Sequence, residues 1–279
     1  MAKPINSTNL SSIIPAGSDY IVLGGSEHFR TVCLVFGRTG VGKTHFGAFF
    51  TPDPIAFISF DSRSERTVKK AVKAGRRIIY TQIESPDTIA RLAKDEAMKV
   101  ARDQVRRVVK NHELAVAQAK KGLIRTICYD TGTEFSELLS IAARGIVGGR
   151  ANDFGDSKNL INQAWRRLLA PDVKKTVNIV ILARSKAIWA DNAPTGDFTY
   201  RGNETMDEAA DWAAEIRVKR NVGKKGEAAK LGWDMLVTKA GENIGELGAV
   251  YTQGDWGKMG PFAFACLMQY EESQIEDWR

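Results

Sequence analysis

The chain is poor in metal-binding and cross-linking side chains. Its three cysteines, Cys33, Cys128 and Cys266, form no C-x-x-C pair, and its three histidines, His28, His45 and His112, are isolated. This spacing excludes a dedicated zinc site and a disulfide framework. Cys33 and Cys128 lie inside apolar, strand-like runs, so the cysteines read as reduced, buried small hydrophobes of a cytosolic protein. No apolar run is long enough to span a bilayer, and residues 1–12 lack the basic-then-apolar pattern of a secretory signal. Neither an internal repeat nor a low-complexity segment is visible. The expectation is a cytoplasmic protein with no membrane partner.

What is present is a large potential core. Of 279 residues, 43% are hydrophobic, which argues against wholesale disorder. Forty basic residues against 33 acidic ones give a net charge of +7, a balance that favours an anionic partner.

One stretch organises the rest. Gly37-Arg38-Thr39-Gly40-Val41-Gly42-Lys43-Thr44 matches G-x-x-x-x-G-K-[ST] at every fixed position. The apolar run Thr31 to Phe36 precedes it, and His45 to Phe50 can open a helix. Strand, Gly-rich turn and helix together are the context of a phosphate site. Glycines let backbone N–H groups close around phosphate oxygens, and the helix N-terminus adds its unpaired donors. Lys43 is expected on the β- and γ-phosphates, and the Thr44 hydroxyl on Mg²⁺.

Downstream, apolar runs alternate with helical patterns. Residues 54–61 read as a buried strand running into Asp61, 62–74 as a helix and 76–82 as a third strand. Residues 123–130 read as a strand ending on Asp130. An acid there, after a phosphate loop, is the Walker B arrangement that holds Mg²⁺ with Thr44. Residues 134–144 and 159–169 read as helices, 177–183 as a buried strand reaching Arg184, and 215–221, 233–239 and 247–252 as late strands. Residues 145–158 and 188–205 read as loops. This order predicts an α/β fold, a mostly parallel sheet with helices on both faces.

Ser85-Pro86-Asp87 signals a helix start, and no Pro or Gly follows until Lys121. A helix over about thirty residues would run roughly 45 Å. Between Arg91 and Arg125 ten basic residues outnumber four acidic ones. This segment, about 87–121, is expected as a long basic helical insertion. It is either a solvated face or an arm toward nucleic acid or a second subunit; a break near Asn111-His112 would make it a hairpin. The divisions expected are a lead-in at 1–30, a core at 31–252 and a locally acidic tail at 253–279.

The order of short stretches resembles the RecA-type recombinase core, and within it small phage-encoded recombinase-like or annealing-associated P-loop ATPases. Residues 56–61 resemble that family's strand ending on the catalytic acid. Gly155-Asp156-Ser157 with Gln163 to Leu168 resembles the end of its first DNA-binding loop and the helix beyond. Asn178 to Arg184 resembles the strand that ends in its γ-phosphate sensor, and 215–220 with 237–239 its late strands. The resemblance implies a RecA-like P-loop NTPase with ATP and Mg²⁺ as cofactors, in the host cytoplasm if phage-encoded. It implies Asp61 for the attacking water, Arg184 as sensor, and Lys239 reaching a neighbouring subunit's ATP in a homo-oligomer. The family has Glu where Asp61 stands and Gln where Arg184 stands; Glu65 is the fallback acid. Read from the residues alone, Asp61 also suits a helix cap, Arg184 a surface ion pair and Lys239 a solvated strand end.

Single-stranded DNA is the expected partner. In the two loops, Arg150, Lys158, Lys186 and Arg201 would track phosphates, while Trp189, Phe198 and Tyr200 would stack on bases. Loop aromatics can instead fold back onto the core. Two other functions fit the same motif: a P-loop kinase of a small molecule or nucleotide, and a non-hydrolysing nucleotide switch or assembly factor.

Overall fold

The computed structural model describes residues 30–145, 154–190, 193–221, 230–240 and 247–252. The lead-in, Arg150, most of the first expected loop, and the acidic tail with Cys266 lie outside the described residues.

Strand β1 (Val32–Gly37) is buried along its whole length, as an unbroken apolar run in a parallel sheet must be. It is flanked by β5 (Asn178–Ala190) and β7 (Trp212–Asn221), both parallel to it. Beyond β5 lie β4 (Thr126–Asp130), β2 (Ile55–Ser59) and the edge strand β3 (Ile78–Gln82), again parallel. Antiparallel β8 (Lys230–Lys239) and β9 (Val250–Thr252) extend the sheet past β7. The full order is β3-β2-β4-β5-β1-β7-β8-β9, and β6 (Ala193–Arg201) pairs with β5 alone. The chain is thus α/β with a mostly parallel sheet.

The period-two alternation of strands sorts the core into two layers. Cys33, Val35, Phe57, Cys128 and Leu182 face α1 (Lys43–Phe49) and α2 (Ser64–Lys73), where Phe46 and Val68 meet them. Leu34, Ile58, Tyr129 and Ile181 face the opposite way. There they meet α3 (Pro86–Ile89), α4 (Lys94–Ala119), α5 (Gly132–Arg144) and α6 (Phe154–Leu168), with Phe135 and Trp165 as the largest buried rings. Helices cover both faces, as expected. Asn178 ties three strand starts together: its Oδ1 accepts from Thr31 N at 3.2 Å and its Nδ2 donates to Arg125 O at 3.1 Å. Two short helices, α7 (Pro171–Lys174) and α8 (Glu204–Ala209), complete the described elements.

The helix expected from residue 159 already begins at Phe154, so Lys158 is helical and not in a loop; three larger expectations also change. The long helix is interrupted at residues 90–93, where Ala93 is extended, so α3 and α4 are separate; α4 then runs unbroken through Asn111-His112. That segment is no free arm. Ala97, Ala101, Val108, His112, Ala115 and Ala119 recur at helical spacing and are buried, and α4 packs on α5 as the crossover from β3 to β4. Its basic side chains form the solvated face: Arg102 donates to Ala142 O, and Arg106 pairs with Asp103 at 2.8 Å. Finally, residues 188–190 and 193–201, expected as loop, are strand. β5 continues past Arg184, where its pairing with β1 ends, and folds back as β6, making a two-stranded ribbon.

Candidate functional site

The C-terminal ends of β1, β4 and β5 meet at a cleft of about 290 Å³. Its floor is the Gly-rich turn between β1 and α1. Gly40 and Gly42 adopt φ of +83° and +99°, a region open to glycine. At Gly37 a Cβ would stand 2.6 Å from the Ile216 carbonyl oxygen, so the strand-to-turn step also requires glycine. Lys43 is buried inside the turn, donating to the carbonyls of Gly37 at 2.9 Å and Arg38 at 2.8 Å. Burial lowers its pKa, while Asp130 and Glu134 pull it back upward.

Thr44 opens α1 and Asp130 closes β4; the Thr44 hydroxyl donates to Asp130 Oδ2 at 2.9 Å. Ser64, at the start of α2, donates to the same oxygen. Burial raises the Asp130 pKa against these two hydroxyls and Lys43. A hydroxyl and a buried carboxylate so close are hard-oxygen ligands of the kind Mg²⁺ takes. Among the described residues no three His, Cys, Asp or Glu side chains cluster as a metal cage, so a cation here would take its other ligands from phosphate and water.

Asp61 and Arg184 also line the cleft. Asp61 stands two residues beyond the end of β2, and both its oxygens accept from the Arg63 guanidinium, at 3.1 and 2.9 Å. Partial burial would raise its pKa, but these bonds and the Arg63 charge hold it below the usual value. The fallback acid Glu65 points away, paired with Lys69 at 2.6 Å. Arg184 is ion-paired with Glu134. Glu134 lies in the first turn of α5, and its side chain is only 5% exposed. Burial pushes its pKa up to about 7 against the lowering effect of Arg184. Its one mark in the sequence is the T-x-x-E spacing from Thr131, whose hydroxyl accepts from Glu134 N at 3.4 Å. That spacing announces a helix cap and says nothing of a cleft.

The remaining candidates lie elsewhere. Lys239 does not line the cleft: through Ala213 it is level with Leu34, back from the Gly37 end of β1, and its Nζ donates to Asp207 O. A second cavity, about 510 Å³, lies along α5 and collects Lys158, Lys186, Tyr200 and Arg201. There Lys158 pairs with Glu204 at 2.7 Å and Arg201 with Glu137 at 2.9 Å. The three expected stacking rings separate. Tyr200 packs edge-on to Phe36, with centroids 6.4 Å apart, and Phe198 lies 4.4 Å beneath the Arg38 guanidinium. Trp189, on the ribbon, is 62% exposed.

Neither a scan against protein-family models nor a search of curated proteins finds a match to this chain. No helix among the described residues is long and apolar enough to cross a membrane.

Proposed function

We propose that the chain is a RecA-like P-loop ATPase that binds Mg·ATP in the β1–β4–β5 cleft, hydrolyses it, and binds single-stranded DNA on the β5–β6 ribbon. The observation that carries the reading is the meeting of Thr44 and Asp130 at 2.9 Å beside buried Lys43, although 86 positions separate the first pair. Those residues fit the implied cofactor: Lys43 and the glycine turn would hold phosphates, and Thr44 with Asp130 would hold Mg²⁺. The cation supplies charge neutralisation at the transferred phosphoryl group. Arg184 supports the RecA-like form, because its strand β5 runs between the strands that end in the glycine turn and in Asp130. A guanidinium there is set to counter phosphate charge. For DNA, the support is an exposed Trp189 on a ribbon whose base carries Arg201 and Lys186. A homo-oligomer in which Lys239 serves a neighbouring site is part of the same proposal.

A P-loop kinase is the second reading. The basic second cavity beside the cleft favours it, having room for an acceptor molecule. Phosphate release from ATP, measured with and without single-stranded DNA and with Lys43→Ala as blank, separates the two. DNA-stimulated release that vanishes in the variant supports the ATPase. Transfer to an added nucleotide or small molecule, indifferent to DNA, supports the kinase. ATP binding with no turnover under either condition returns the protein to the switch class.

A further inference from the structure

Besides Asp130, the cleft holds two carboxylates, and they differ in what already occupies them. Asp61 is 29% exposed at its side chain, with both oxygens taken by Arg63. Glu134 is buried; Oε1 is paired with Arg184 and Oε2 has no hydrogen-bond partner among the described residues. A buried carboxylate oxygen left without a donor is costly, and it is relieved by a ligand that brings a proton to it. We propose that Glu134, and not Asp61, accepts the proton of the attacking water during γ-phosphoryl transfer. This inference rests on the reading of the cleft as an ATPase site.

Position, basicity and release all favour Glu134. α5 begins directly after β4, so its first turn lies beside the Asp130 carboxylate, and Lys43 responds to the Glu134 charge. Burial raises the Glu134 pKa to about 7, which suits a base working near neutrality, whereas Asp61 is held too acidic by Arg63. Arg184 is shared between states. Once its guanidinium turns to phosphate charge, Glu134 loses the partner that lowers its pKa and becomes the stronger base. In the step itself, the water oxygen forms a bond to the γ-phosphorus and the bond to the β,γ-bridging oxygen breaks. The electron pair of that bond stays on ADP, and the water proton goes to Glu134, then to solvent.

The test is steady-state phosphate release by Glu134→Gln and Glu134→Asp, with Mg·ATP affinity measured by calorimetry on the same preparations. Both variants are expected to bind ATP within about threefold of wild type, and Glu134→Gln to lose about 10²-fold or more in turnover. Added formate is expected to restore part of the turnover of Glu134→Ala, which a purely structural role does not predict. Turnover of Glu134→Gln within tenfold of wild type overturns the assignment. So does an active Glu134→Gln beside an inactive Asp61→Asn. If the Gln variant fails to fold, Glu134→Asp decides, since it withdraws the carboxylate by one methylene; wild-type turnover there overturns the proposal. A wild-type chain that turns ATP over beside an unimpaired Glu134→Gln overturns the role of Glu134 alone, whereas a wild-type chain that binds ATP without turning it over, or binds none, overturns the ATPase reading and the role of Glu134 with it.

Discussion

Arg184 and Arg201 are cross-strand partners in the β5–β6 pair, and each is held by a glutamate of the same helix, α5. Arg184 pairs with Glu134 at the cleft, and Arg201 pairs with Glu137 at the second cavity. Thr133 links the two, accepting from Arg184 N at 2.9 Å and donating to Arg201 O. The cleft and the second cavity are therefore joined through one turn of helix and one strand pair.

Removing Arg184 strands the Glu134 charge. Arg184→Gln is expected to destabilise the fold by roughly 1–2 kcal/mol more at pH 8 than at pH 6, a figure discounted because Arg184 is partly exposed. The sign follows from the raised pKa. Glu134 is protonated below about 7 and costs little unpaired, whereas above that value it is charged and buried. Urea unfolding at the two pH values checks this; equal losses contradict it.

The β5–β6 ribbon is the proposed surface for single-stranded DNA. Trp189→Ala and Arg201→Ala are each expected to weaken single-strand binding, with nucleotide affinity retained. Losing one stacked ring is worth ~1–3 kcal/mol, a change of roughly five- to 160-fold. Arg201→Ala should also flatten the salt dependence of binding. Fluorescence anisotropy with a labelled oligonucleotide over a salt series measures both, and unchanged affinity in both variants removes DNA from the ribbon.

His112 predicts an acid weakness. Burial lowers its pKa from 6.5 to about 4, and the Tyr129 hydroxyl is its hydrogen-bond partner at 2.6 Å. A depressed imidazole pKa means that the unfolded chain takes up the proton first. Stability is therefore lost as pH falls through 6.5, and the loss is complete near 4. Between pH 7.5 and 5 this amounts to roughly 2 kcal/mol. Glu134 acts in the opposite sense, so the check is wild type against His112→Gln in unfolding at both pH values. The variant should lose less stability on acidification; identical slopes would remove His112 as the cause.

Gly37 and Gly40 should fail for different reasons. At Gly37 an added Cβ meets backbone, the Ile216 carbonyl oxygen at 2.6 Å; at Gly40 it meets nothing within 4 Å, but φ is +83°. Gly37→Ala is expected to cost about 1–3 kcal/mol by crowding, and Gly40→Ala ~1–2 kcal/mol by backbone strain alone. Thermal unfolding gives the first comparison, and ATP affinity the second; a Gly37→Ala protein as stable as wild type contradicts the packing described at the end of β1.

The α/β order, the glycine turn and the Thr44–Asp130 meeting were legible because sequence patterns encode them. Apolar runs of strand length, a fixed glycine spacing and an acid at a strand end suffice. The ribbon was not legible. Pro194 and Gly196 read as loop punctuation, and only the pairing of residues 184–190 with 193–201 makes those residues strands. Nor was the break before α4, since Ala90 to Ala93 carry no Pro or Gly. Glu134 stayed hidden because its burial and its Arg184 partner, 50 positions away, are tertiary facts. Phe198 and Tyr200 show the same limit: composition places aromatics in a segment but cannot say which of them turn back onto Arg38 and Phe36.

The proposed function rests on the β1–β4–β5 cleft acting as a Mg-dependent nucleotide site. Calorimetric titration of ATP into the wild-type chain, Lys43→Ala and Asp130→Asn, with and without Mg²⁺, tests it most directly. One ATP per chain is expected, with tighter binding in the presence of Mg²⁺ in wild type, loss of binding in Lys43→Ala, and loss of the Mg²⁺ enhancement in Asp130→Asn. ATP affinity that is absent in wild type, or that survives Lys43→Ala undiminished, would contradict it.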